Sequence, residues 1–180
     1  GNYIIKNINY GNGTTFTVTP SLESIIGRSL EFDGVNDYID FSARRIELSN
    51  GFTIESWFKT PGASSDMILF STRNPVDQTV QLEVSMLASS SQLTVKYFDQ
   101  VTTVGEGLNN NLWHHWAVAV DTLNQTIEIY IDGGSSLGGS QSVELLSSNL
   151  IDDITVLSEL KIGSGLNNNA YFLGFMDESR

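Results

Sequence analysis

Apolar and polar residues alternate with a period of two along much of this chain. From Val80 to Met86, the residues Val80, Leu82, Val84 and Met86 alternate with Gln81, Glu83 and Ser85. From Thr126 to Asp132, Ile127, Ile129 and Ile131 alternate with Glu128, Tyr130 and Asp132. Successive side chains of a strand point to opposite faces, so this pattern predicts strands with one buried and one wetter face. Further stretches rich in Val, Ile, Phe, Tyr, Trp and Thr read as strands. They are Tyr3–Ile8, Thr14–Thr19, Ser29–Phe32, Tyr38–Phe41, Phe52–Thr60, Met67–Ser71, Leu93–Phe98, His115–Asp121, Glu159–Ile162 and Ala170–Met176.

Turn-forming clusters separate them: Gly11-Asn12-Gly13, Pro61-Gly62, Asn109-Asn110-Asn111, Asp132-Gly133-Gly134 and Gly163 through Asn169. No segment carries a long apolar stripe at helical spacing, and Ser147–Val156 is expected to hold at most one helical turn. The Gly/Ser stretch Gly133–Ser142 reads as a long loop between strands. About twelve short strands with frequent turns predict an all-β sandwich or barrel. No fixed-period repeat or linker divides the chain, so residues 1–180 are expected to form one domain.

Composition narrows the function classes. Hydrophobic residues make up 40% and charged residues 17%, the reverse of a disordered chain. The 21 acidic against 9 basic residues give a net charge of −12, which repels phosphate backbones and makes nucleic acid a poor partner. The same charge is compatible with neutral sugars, basic proteins or calcium. With no cysteine, disulfides and thiolate metal sites are excluded. No apolar run is long enough to span a bilayer, so no membrane insertion is expected. The opening residues lack the basic start and apolar run of a signal peptide.

Six segments, in this order and spacing, together resemble the laminin-G-like, concanavalin A-like lectin-glucanase jelly-roll family. They are SLEFDGVNDYIDF (29–41), FTIESWFKT (52–60), WHHWAVAVD (113–121), IEIYIDG (127–133), LKIGSG (160–165) and FLGFMDES (172–179). The resemblance covers roughly residues 22–180 and implies two curved antiparallel sheets packed face to face. The function expected with it is a non-catalytic recognition module within a larger extracellular or cell-surface chain, carbohydrate-binding in the first place, with a protein–protein adhesion module or a structural spacer domain as the alternatives. Where the family continues past Asp-Glu into a final strand, this sequence stops at Ser179-Arg180, so that strand is expected to be missing. A structural calcium is a further implication of the resemblance. Its positions map onto the Gly34 carbonyl and Asp177, with Asp33 and Asp37 as acidic neighbours. Turn hydrogen bonds are the competing use of Asp33 and Asp37.

Sugar binding calls for aromatic platforms beside amide groups that fix hydroxyls. The aromatic candidates are Tyr97, Tyr130, Trp113 and Tyr171. Asn74, Asn109, Asn111, Asn167 and Asn169 supply amides in loops. Each strand aromatic has a second possible fate in the core, Trp113 could plug a strand end, and each Asn could simply shape a turn. Trp57 is expected to pack on its sheet.

Catalytic patterns are missing from the sequence. No strand shows the Glu-x-Asp-x-(x)-Glu arrangement of the retaining glycosidases in the wider family. Glu128 and Asp132, four residues apart, would sit roughly 13 Å apart by strand rise, against the 5–9.5 Å or so that glycoside hydrolysis uses. His114 and His115 are adjacent, so in a strand they point to opposite faces. There is no Gly-x-Ser-x-Gly elbow, phosphate loop or zinc spacing. The chain is therefore expected not to be an enzyme. Asn12-Gly13-Thr14 and Asn124-Gln125-Thr126 fit the N-glycosylation pattern, which matters only in a secretory pathway.

Overall fold

The computed structural model of the protein describes residues 3–4, 8–9, 29–41, 46–47, 51–74, 76, 78–121, 126–134, 140–144, 156–157 and 159–180. In chain order the strands are β1 (Tyr3–Ile4), β2 (Ile8–Asn9), β3 (Leu30–Asp33), β4 (Ile39–Asp40), β5 (Ile46–Glu47) and β6 (Phe52–Lys59). They continue with β7 (Met67–Arg73), β8 (Val80–Met86), β9 (Leu93–Tyr97), β10 (Gln100–Val104) and β11 (Trp113–Asp121). The last are β12 (Thr126–Ile131), β13 (Ser140–Glu144), β14 (Val156–Leu157), β15 (Leu160–Ile162) and β16 (Leu173–Asp177).

Among the described residues, two seven-stranded sheets form a jelly-roll sandwich. The first runs β1-β3-β16-β6-β11-β12-β13 and the second β10-β9-β8-β7-β15-β4-β2, while β5 and β14 pair as a small third sheet. The pairings are antiparallel except β1 with β3 and β2 with β4. The alternation seen in the sequence sets the layers. Ile54 and Phe58 of β6, Trp116, Val118 and Val120 of β11, and Ile127, Ile129 and Ile131 of β12 point inward. They meet Leu82, Val84 and Met86 of β8 and Leu93, Val95 and Tyr97 of β9 across one core. In β7 a register shift between Ile68 and Phe70 lets Leu69 and Phe70 both be buried.

The central strands lie where alternation placed them, and β8 has the expected bounds. Four short strands were not foreseen: β5, β10, β13 and β14. Part of the expected Gly133–Ser142 loop belongs to β13, paired with β12. QVTTV and SQSVE carry little apolar alternation, so tertiary pairing rather than pattern makes them strands. The expected strand Thr14–Thr19 lies outside the described residues, as does the expected helical turn except for Val156, which is in β14. Past Asp177 the chain returns to β6, where Arg180 and Glu55 exchange both backbone hydrogen bonds at 2.9 and 3.0 Å.

Candidate functional site

The outer face of the first sheet follows from strand parity. With Ile54 and Phe58 inside, β6 turns Thr53, Glu55, Trp57 and Lys59 outward. With Trp116, Val118 and Val120 inside, β11 turns Trp113, His115, Ala117 and Ala119 outward. The pairing sets Trp113 opposite Lys59 and His115 opposite Trp57. Trp57 and Trp113 are therefore diagonal neighbours, roughly 7–8 Å apart at the backbone. Their side chains stay open to solvent, 39% and 40% exposed. The His115 ring lies 5.1 Å from that of Trp57, and its Nε2 is 3.4 Å from Glu55 Oε2. Lys59, opposite Phe175 of β16, and Asp177, opposite Trp57, add polar groups to the same surface.

A tied loop forms the rim next to Trp113. Asn111 takes φ 62 and donates its N–H to the Thr60 carbonyl at 3.0 Å. Asn110 Oδ1 accepts the Leu112 N–H at 2.9 Å and lies 3.0 Å from His114 Nε2. On its other side the buried His114 ring meets Asp132 Oδ2 at 2.8 Å, while Asp132 Oδ1 accepts the His115 N–H at 2.8 Å. Asp132 thus splints the start of β11 to the end of β12 from a left-handed φ of 50 that aspartate tolerates. Asp132→Ala leaves a buried imidazole nitrogen and an amide without their acceptor. It is expected to lower unfolding free energy by about 2 kcal/mol, read as a lower urea midpoint. An unchanged midpoint would mean that the rim is not held this way.

The structure gathers some of the expected ligand residues and separates others. Trp113, Asn109 and Asn111 lie together at this rim, with Asn109 half-buried against Gly62 and Asn111 exposed. Tyr130 is on the same sheet face, opposite Ala117. That is four residues along β11 from Trp113, or about 13 Å. Its hydroxyl donates to the Glu128 carboxylate, and this bond, ahead of burial and the Glu128 charge, pushes the phenol pKa up. Tyr97 does not belong to the site. β9 alternates Leu93, Val95 and Tyr97 inward, and Tyr97 is 3% exposed in the core, so its packing and not its chemistry decides its place. Trp57 was missed as a surface residue. The signal was present in FTIESWFKT, where Trp57 shares parity with the polar Thr53, Glu55 and Lys59.

The expected calcium ligands are not brought together. β16 pairs with β3 so that Leu173 lies opposite Asp33, whereas Asp177 lies opposite Trp57. Gly34 and Asp177 therefore sit at opposite ends of a strand, about 13 Å or more apart by its rise. One ion needs all its oxygens within about 2.6 Å. The acids have other duties. Asp33 Oδ1 accepts the Val35 and Asn36 N–H groups at 2.8 and 3.2 Å, and the buried Asp37 accepts the Asp33 N–H at 3.0 Å. Asp177 Oδ1 accepts the Glu178 N–H at 2.8 Å. Gly34, at φ 75, makes the turn that leads Asp33 back toward Asp37. This set does not fit a calcium ion. Among the described residues, no three acidic or imidazole groups converge as metal ligands.

On the second sheet, polar groups are spent on holding a loop. The Lys161 ammonium, 7% exposed, donates to the Leu166 carbonyl and the Asn168 amide oxygen, 4.6 Å from the centre of the Tyr38 ring. Burial pushes its pKa down, opposed by the Asp40 carboxylate. Arg73 pairs with Glu159 and reaches Asn167 at 3.5 Å, and the Tyr171 ring lies 6.4 Å from that of Tyr38. Asn167 and Tyr171 thus anchor the segment 163–171.

A family model, laminin G type, described as the concanavalin A-like lectin/glucanases superfamily, matches residues 33–180. Three solved structures illustrate the likeness in fold. The heptameric SAP-like pentraxin of Limulus polyphemus is 13% identical at a TM-score of 0.60, covering 83% of this chain and 73% of its own. The CBM40 of the Ruminococcus gnavus IT-sialidase is 13% identical at 0.60, covering 84% and 89%. Domains LG4-5 of the mouse laminin alpha1 chain are 15% identical at 0.59, covering 84% and 40%. A search of curated proteins finds no match.

Proposed function

The chain belongs to the concanavalin A-like lectin/glucanases superfamily, and from that premise we propose that it is a non-catalytic carbohydrate-binding module. The observation that carries this reading is the pair of exposed indoles, Trp57 and Trp113, held as diagonal neighbours on a paired sheet. An indole offers a broad apolar face to the apolar face of a sugar ring. His115, Lys59, Asn109 and Asn111 lie close enough to fix hydroxyls by hydrogen bonds. Strand pairing and the Asp132 splint hold the platform rigid, so little ordering cost opposes binding. The acids nearby, Glu55 and Asp177, balance Lys59 and Arg180, which favours a neutral sugar over a strongly charged one.

Two similarities support the reading. The CBM40 from Ruminococcus gnavus has been solved bound to alpha2,3 sialyllactose, and a Bacteroides ovatus protein of this fold is described as a putative carbohydrate binding protein. The same reading places the module in a larger extracellular or cell-surface chain and gives calcium no part in it. A second reading, a protein adhesion module, draws on Leu112, 62% exposed beside Trp113, which extends the apolar patch beyond what one sugar needs.

The test is a glycan array followed by calorimetry on the best ligand. Trp57→Ala and Trp113→Ala are each expected to weaken binding by about tenfold or more, a loss of roughly 1.4 kcal/mol. Tyr130→Ala is expected to change it little. Absence of any glycan ligand, or full binding by both Trp variants, would refute the proposal.

A further inference from the structure

The outer face of β11 changes character along its length. Its outward residues run Trp113, His115, Ala117, Ala119 and Asp121, so two central positions carry only a methyl group. Alanine is depleted in strands, and a solvated sheet face gives no reason to prefer it. Small side chains in mid-sheet matter where something else lies on them. Pairing sets Ala117 between Glu55 of β6 and Tyr130 of β12, and Ala119 between Thr53 and Glu128. The result is a trough whose walls stand two strand spacings, or about 10 Å, apart. Ala117 faces outward between these taller neighbours, yet it is only 8% exposed.

Past Ala119 the trough opens into a hollow of about 490 Å³, lined by Gly51, Thr53, Ala119, Asp121, Thr126 and Glu128. Ionised carboxylates only accept hydrogen bonds, whereas threonine hydroxyls both donate and accept. Such a lining suits a ligand rich in hydroxyl groups. No lysine, arginine or histidine is found in it among the described residues, so it repels negative charge. Trp113 and Ala119 are six residues apart on one strand, about 20 Å by its rise. Indole platform, trough and hollow therefore form one track along β11.

We infer that the ligand is an extended, uncharged polysaccharide lying lengthwise along β11. It stacks on Trp57 and Trp113 at one end, crosses Ala117 and Ala119, and gives hydroxyl hydrogen bonds to Thr53 and Glu128 at a second subsite in the hollow. This rests on the carbohydrate-binding reading above and adds to it the ligand's length and charge. A short glycan would use the indoles alone.

Calorimetry on the full chain, with disaccharides and hexasaccharides of the glucan, xylan, mannan and galactan series, tests the inference. The hexasaccharide of the preferred series is expected to bind at least about tenfold tighter than its disaccharide, and carboxymethylating it to cost about tenfold or more. Ala119→Tyr fills the trough from the outer face. It is expected to bring the hexasaccharide down to the disaccharide's affinity, while the disaccharide, held by the indoles, stays within about twofold and shows the variant to be folded. Ala119→Ser, a much smaller change, is expected to keep the hexasaccharide's advantage. Trp57→Ala, by contrast, is expected to weaken both lengths. Equal affinity for the two lengths, no cost of carboxymethylation, or a length advantage that survives Ala119→Tyr would each overturn the inference and leave the Trp57–Trp113 platform standing. Equal loss of both lengths in an Ala119→Tyr variant with an unchanged urea midpoint would overturn it too. No binding in any of the four series would also overturn it, and the glycan array then decides the platform separately.

Discussion

Gly174→Ala is expected to be the most damaging single substitution in this protein, lowering unfolding free energy by about 3–5 kcal/mol. Gly174 is the second residue of β16, with φ +138, a conformation that side-chain-bearing residues rarely adopt. A methyl group there would stand 2.1 Å from the Lys59 carbonyl oxygen and 3.1 Å from Thr60 Cα. Those are backbone atoms of the neighbouring segment and cannot rotate away as a side-chain tip can. Relief requires pulling β16 from β6, where Phe175 faces Lys59 and Met176 faces Phe58. Both contacts lie at the centre of the first sheet, so the damage spreads to the platform strand that carries Trp57. Urea unfolding is the measurement, with the midpoint falling at an unchanged slope. A loss below about 1 kcal/mol would show that the two strands can separate cheaply.

Phe172→Ala is the second large effect, with an expected loss of about 3–5 kcal/mol. Phe172 is fully buried and meets Phe32 edge to face at 5.9 Å and 78°. Its N–H donates to the Gly163 carbonyl at 2.9 Å, which closes the segment 163–171 at its base. Gly163 in turn leaves the space where the Phe32 ring sits, since a Cβ there would be 2.4 Å from Phe32 Cε1. Truncating Phe172 removes the ring that holds Phe32 in this gap. The loss is expected to loosen the anchored segment as well as the core, so amides such as Gly165 and Asn168 should exchange faster with solvent. Calorimetric unfolding gives the first quantity and hydrogen exchange the second. Lost stability without faster exchange in 163–171 would show that the Lys161, Asn167 and Tyr171 contacts hold that segment without the Phe172 ring.

Parity along a strand is local, and it was legible. The alternation in VQLEVSM, TIEIYI and WHHWAVAVD assigns each residue to one of two faces before any partner is known, because successive side chains must diverge. This was enough for the central strands and the sandwich. The weakly patterned QVTTV and SQSVE could not be read the same way, because their strand character comes from the neighbours that pair with them. The same division runs through the site. Asn109, Asn111 and Trp113 adjoin in sequence and so were bound to share a rim. Grouping Tyr97 and Tyr130 with them required knowing which face of each strand is covered.

By itself, then, the sequence determined the all-β fold of this family, its two-faced strands and a polar loop before Trp113. The tertiary structure decided three further things: that Trp57 stays in solvent, that Tyr97 is core, and that Gly34 and Asp177 lie at opposite ends of β16. The reason is one of range. Alternation is fixed by the covalent geometry of adjacent residues, whereas exposure and distance depend on which strands pair, in what register, and what packs above them.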